Sequence, residues 1–111
     1  MLEVGTIVLV PFPYTDLSAS KRRPVLLLTS TNERGDFIGM ALTTRPQFES
    51  ALAVRGGPLP RGGSLPRDSW VRIDKLVTLR ESVVVKTMGR VDASTRTECV
   101  RLLCHALNIA E

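Results

Sequence analysis

The chain has 111 residues, 43% of them hydrophobic and 23% charged, with 15 Lys/Arg against 11 Asp/Glu for a formal net charge of +4. That length and balance specify a single folded domain, 1–111, with room for a real core, and exclude a disordered or a two-domain chain. No apolar run approaches the roughly 20 residues that cross a bilayer as a helix, and the start Met1-Leu2-Glu3-Val4-Gly5 lacks the basic opening and long apolar centre of a secretory signal, so a cytoplasmic location without a membrane partner is expected.

Aromatic residues are only 5% of the chain. The core must therefore come from Val, Leu, Ile and Met, which suits a compact sheet. Thr6 to Val10 reads as a strand that starts after Gly5 and is stopped by Pro11 and Pro13. Residues 13 to 22 read as a loop. Val25 to Ser30, almost continuously apolar, predicts a buried strand. Asn32 and Gly35 turn the chain, and Phe37 to Thr44 forms a third strand.

Residues 48 to 55 suit a further strand, whereas Gly56, Gly57, Pro58, Pro60, Gly62, Gly63 and Pro66 predict a loop without helix or long strand. Ser69 to Leu76 resumes extended structure; with Val71 and Ile73 inward, alternation turns Trp70, Arg72 and Asp74 outward. Val83 to Met88 is the last strand, ended by Gly89. From about Asp92 the period changes. Cys99, Leu102, Leu103, Ala106, Leu107 and Ala110 recur at helical spacing and predict a terminal helix with one apolar stripe. Asp92, Ser94 or the Thr95/Glu98 pair can cap it. Cys99 and Cys104 lie about 140° apart around that helix, which fits ordinary buried or half-buried thiols rather than a disulfide or a metal site. The whole pattern is mainly β with a C-terminal helix, a small bent sheet or barrel.

The charge is uneven. Residues 21 to 72 carry nine Lys/Arg against four Asp/Glu, while residues 1 to 20 carry only Glu3 and Asp16. Lys21-Arg22-Arg23-Pro24 places three cations at the mouth of the Val25 strand, and Thr43-Thr44-Arg45-Pro46 repeats the strand-into-Pro arrangement with two hydroxyls and another Arg. Such charges cannot be buried unpaired, so they face solvent or a polyanion.

Gly5-Thr6-Ile7-Val8, Lys21-Arg22-Arg23-Pro24-Val25-Leu26, Ala41-Leu42-Thr43-Thr44, Arg67-Asp68-Ser69-Trp70-Val71 with Leu76-Val77-Thr78-Leu79, and Gly89 before a terminal helix occur in that order. Together they resemble the MazF/PemK family of toxin endoribonucleases over nearly the whole chain. The resemblance implies a small SH3-like barrel of the PemK/CcdB plasmid-toxin type, a homodimer that cuts single-stranded RNA within a short sequence without metal or other cofactor. It also implies a cognate antitoxin whose acidic segment covers the basic groove. The implied reaction is attack of the RNA's own 2′-hydroxyl on the adjacent phosphorus, giving a 2′,3′-cyclic phosphate and a 5′-hydroxyl.

The family's catalytic Arg falls on Arg23 and its catalytic Thr on Thr43. Lys21, Arg22, Thr44 and Arg45 are candidate RNA contacts, and Ser69 and Lys75 fall where the family contacts bases. Relatives often carry Gln at the position of Lys75 and Gly-Ser-Glu where this chain has Ser18-Ala19-Ser20. The residue types suit the chemistry independently: a guanidinium donates paired hydrogen bonds to phosphorane oxygens and a hydroxyl donates a third. Trp70 is a candidate for stacking on a base or for packing on the barrel or a dimer mate, and His105, beside the apolar stripe, reads as a structural or surface imidazole. Two other functions fit such a barrel. One is a gyrase-poisoning toxin, whose relatives share an aromatic C-terminal tail that Asn108-Ile109-Ala110-Glu111 lacks. The other is a non-catalytic SH3-like module binding RNA or an acidic peptide.

Overall fold

The computed structural model describes residues 1–13, 20–46 and 49–108, and only the backbone of Phe12, Pro13 and Ser20. Asp16, Ser18, Ala19, Ile109, Ala110 and Glu111, named above, lie outside the described residues. The strands are β1 (Thr6–Pro13), β2 (Ser20–Leu27), β3 (Asp36–Thr43), β4 (Ala51–Val54), β5 (Gly57–Pro58), β6 (Ser64–Leu65), β7 (Ser69–Arg80) and β8 (Lys86–Arg90), followed by helix α1 (Ala93–Ala106). Six of them form one curled antiparallel sheet in the order β4-β7-β3-β2-β1-β8, and β5 and β6 pair as a separate hairpin. The result is a half-barrel closed by one helix.

Several boundaries differ from the sequence reading for identifiable reasons. β1 runs through Pro11 and Pro13, paired with Arg22 and Ser20 of β2. Its pairing with β8 stops at Leu9, so beyond that point β1 is a sheet edge, where proline costs no ladder bond on the open side. β2 correspondingly begins at Ser20, which puts Lys21, Arg22 and Arg23 within a strand and not in a loop. β7 continues to Arg80 against β3. The strand expected from Val83 starts only at Lys86, because Glu81–Val83 forms a 3-10 turn in which Val84 N–H donates to Glu81 O at 3.0 Å.

Both faces of the sheet are apolar. Ile7, Leu26, Met40, Leu42, Val71 and Ile73 pack with Cys99 of α1 on one face. Val8, Val10, Val25, Leu27 and Phe37 form a second cluster on the other, against Val77, Leu79 and Val84. β7 serves both clusters because of an irregularity in its register. Met40 pairs with Leu76 and Leu42 with Val71, so residues 72–75 all lie opposite Ala41. Three extra residues reverse the alternation, since the side-chain period is two. Val71 and Ile73 therefore face the helix, while Val77 and Leu79 face away from it.

The helix starts at Asp92, whose carboxylate accepts from the Thr95 backbone N–H at 3.1 Å and from the hydroxyls of Ser94 and Thr95. Those donors hold the Asp92 carboxyl below its usual range, the Thr95 hydroxyl most of all. Arg96 then ties α1 to the sheet, with Nε and Nη2 donating to Leu28 O at 2.9 and 2.8 Å. Leu102 and Leu103 pack on the helix-side core, whereas Ala106 and Leu107, further along the predicted stripe, are exposed.

Candidate nucleic-acid interface

The ladder between β2 and β3 runs Leu27↔Gly39, Leu26↔Met40, Val25↔Ala41. The ladder ends there, and Arg23 on β2 and Thr43 on β3 each lie two residues beyond its last pair. Arg23 also pairs with Val10 of β1, and Thr43 pairs with Trp70 of β7. Paired residues share a face, and Val10 and Val25 belong to the cluster away from the helix. Thr43 and Trp70 thus lie abreast on β3 and β7, and Arg23 lies on the same face of the neighbouring strand β2, opposite α1.

Each of the three is half-buried, so the row is set into the sheet's surface and not raised above it. The Thr43 Oγ1 accepts from the Arg45 backbone N–H at 3.1 Å. That bond leaves the hydroxyl's own proton to be donated elsewhere. On the same face, two positions beyond Trp70, Arg72 grips Asp74 with both ends of its fork, Nε to Oδ1 at 3.1 Å and Nη2 to Oδ2 at 2.7 Å. The Arg72 hydrogen bonds and charge hold the Asp74 carboxyl below its usual range, against the opposing effect of burial. Gly56 N–H donates to Asp68 Oδ1 at 2.7 Å and ties the end of β4 to the start of β7, next to this row.

The other sequence candidates divide. Lys21 is exposed and shares the face of Arg23 by alternation; Arg22, paired with Pro11, is exposed on the other face. Thr44 and Arg45 are exposed in the bend that follows β3, beside Thr43. Lys75 is exposed within the β7 irregularity. Ser69 stands apart: it is buried, pairs with Val54 and donates its hydroxyl to Arg67 O at 3.1 Å, on the helix side of the sheet. His105 is exposed near the end of α1. Among the described residues no group of three or more His, Cys, Asp or Glu is placed to hold a metal ion.

Period-2 reasoning already turned Trp70 and Arg72 outward. What it missed is that Trp70 stands directly beside Thr43, because that adjacency depends on a register set by the three-residue irregularity in β7. No local residue pattern signals it.

The family model for PemK-like, MazF-like toxins of type II toxin-antitoxin systems matches residues 3–107. Among the curated proteins none matches significantly. Several solved structures share the fold, three of them as follows. An endoribonuclease in complex with its cognate antitoxin, from a Mycobacterial species, superposes with a TM-score of 0.71 at 21% identity, covering 100% of this chain and 98% of that one. The Mycobacterium tuberculosis toxin MazF-mt6 gives 0.69 at 19% identity over 96% and 99%. A further endoribonuclease from a Mycobacterial species gives 0.65 at 24% identity over 98% and 93%.

Proposed function

The chain belongs to the PemK-like, MazF-like toxins of type II toxin-antitoxin systems, and from that premise we propose that it is an endoribonuclease cutting single-stranded RNA without a metal, with Arg23 and Thr43 as its catalytic residues. The observation that carries the reading is that Arg23 and Thr43 share one face of neighbouring strands just past the last pair of their ladder, with the Thr43 oxygen already accepting from Arg45 N–H. That leaves the hydroxyl's proton to donate.

In the reaction the RNA's 2′-hydroxyl gives up its proton to water as its oxygen forms a bond to phosphorus, the bond from phosphorus to the 5′-oxygen breaks, and the departing oxygen takes up a proton from water. Charge accumulates on the non-bridging oxygens of the phosphorane between these events. The Arg23 guanidinium stabilises that charge with two parallel hydrogen bonds and Thr43 with a third. A guanidinium stays protonated at neutral pH, so Arg23 acts as a donor and not as a base. Lys21, Thr44, Arg45 and Lys75 draw the strand in and hold its phosphates and bases, Arg22 on the other face adds attraction at long range only, and Ser69, buried on the helix side, supports β7 from beneath.

The neighbours' names support an antitoxin partner, since one of them was solved with its cognate antitoxin. An acidic antitoxin segment over the basic face would silence the protein. We assign a homodimer in the cytoplasm on the family resemblance. The exposed Ile38 and Leu76, on adjacent strands β3 and β7, are apolar surface that a second copy would cover.

The test is to incubate the protein with a long single-stranded RNA in EDTA and map the fragment ends. Discrete cuts bearing cyclic phosphates are expected. Intact RNA, with salt-sensitive binding, would replace this reading with a non-catalytic module, and inhibition of gyrase in a supercoiling assay would replace it with a gyrase poison.

A further inference from the structure

Trp70 is the chain's single tryptophan, and its setting is not that of a core residue. Its neighbours in sequence, Ser69 and Val71, turn to the helix side and are buried there. Trp70 faces the other way, half-buried, between Thr43 on β3 and Ala53 on β4. β4 is the edge of the sheet and Ala53 is exposed, so a methyl group is all that the edge strand sets beside the indole at that position. The next pair along, Ala51 and Arg72, repeats the arrangement with another small residue at the edge.

We propose that Trp70 is a positioning residue for RNA, stacking on the nucleobase next to the phosphodiester held by Arg23 and Thr43. The inference rests on the ribonuclease reading and adds how the strand is fixed. A phosphate gripped by donors can still rotate about its bridging oxygens; a base stacked one strand away removes that freedom and helps to bring the 2′-oxygen into line. Stacking is tolerant of base identity, so Trp70 contributes affinity and alignment more than sequence choice.

The single tryptophan makes the test direct. Fluorescence is followed as the protein is titrated with a single-stranded RNA carrying 2′-deoxyribose at the mapped cleavage position, which removes the nucleophile and keeps the bases. Saturable quenching is expected with that RNA, and none with inorganic polyphosphate, which brings charge without bases. An abasic site on one side of the cleavage position should abolish the quenching. Trp70→Leu should lower kcat/KM roughly 10- to 100-fold, with Trp70→Phe intermediate. Fluorescence that stays constant while anisotropy reports saturated binding would overturn the proposal, as would emission that follows protein concentration alone, which would place the indole against a second copy. If unmodified RNA is never cut, the ribonuclease reading fails by itself, and quenching titrated with that same unmodified RNA against polyphosphate still decides whether the indole stacks on a base.

Discussion

At Thr43 one backbone hydrogen bond decides what the side chain can do. Because Oγ1 accepts from Arg45 N–H, its proton is left to donate to a substrate oxygen, and Thr43→Val, which keeps the shape and removes the donor, should reduce cleavage about 100-fold or more, whereas Thr43→Ser should retain most of it. Equal rates for the two variants in a single-turnover assay would remove Thr43 from the chemistry. Cys99 shows burial acting on a thiol. It is completely buried under α1, and desolvation, with a smaller effect from the Glu98 charge, pushes its pKa from 9.0 up to about 11. The folded chain therefore keeps this proton over a range in which the unfolded chain has released it. The stability tied to it is whole below about pH 9 and is lost as pH rises through about 11. Urea midpoints should fall more steeply between those values in the parent than in Cys99→Ala. Below pH 9 a thiol reagent should reach the half-buried Cys104 and spare Cys99 until the chain unfolds.

Between the elements, a close approach of backbones fixes the β5–β6 hairpin to β8. Gly63 bridges to Gly89, and a Cβ at Gly63 would lie 2.2 Å from Met88 O and 2.4 Å from the Gly89 Cα, at a φ of +72°. Neither neighbour is a flexible side-chain end, so Gly63→Ala should cost on the order of 3 kcal/mol in chemical denaturation. Gly62→Ala, with a φ of +113° but nothing within 4 Å, carries the backbone strain alone and should cost about 1 kcal/mol; similar losses for the two would mean that the contact does not matter. The sequence is legible at this scale wherever one element's own pattern decides its structure. The apolar recurrence from Cys99 to Leu103 marks α1, and the alternation around Val71 and Ile73 marks which side of β7 is inward. It is not legible where a neighbour decides. Pro11 and Pro13 signal a stop, yet β1 continues because its second partner has already ended. The cap at Asp92 becomes distinguishable from Ser94 and Thr95 only once Thr95 N–H is seen to turn back to its carboxylate.

For the molecule as a whole, the candidate site is a product of topology. Arg23, Thr43 and Trp70 are far apart in the chain and meet because β2, β3 and β7 are neighbours in the sheet. The family pattern picked out Arg23 and Thr43 from their local strand-into-Pro settings. It did not separate the exposed Lys21 from the buried Ser69, because facing is fixed by the two clusters on either side of the sheet and by the irregularity that lets β7 line both. The basic excess between residues 21 and 72 would act at long range, drawing a polyanion to the surface where we propose that Arg23 and Thr43 carry the chemistry. The most direct measurement of that claim is single-turnover cleavage of one mapped RNA site in EDTA by the parent and by Arg23→Ala, with circular dichroism confirming that both are folded. The account predicts EDTA-resistant cutting by the parent and a loss of at least about 100-fold in the variant. Cutting by Arg23→Ala at the parent's rate would contradict it.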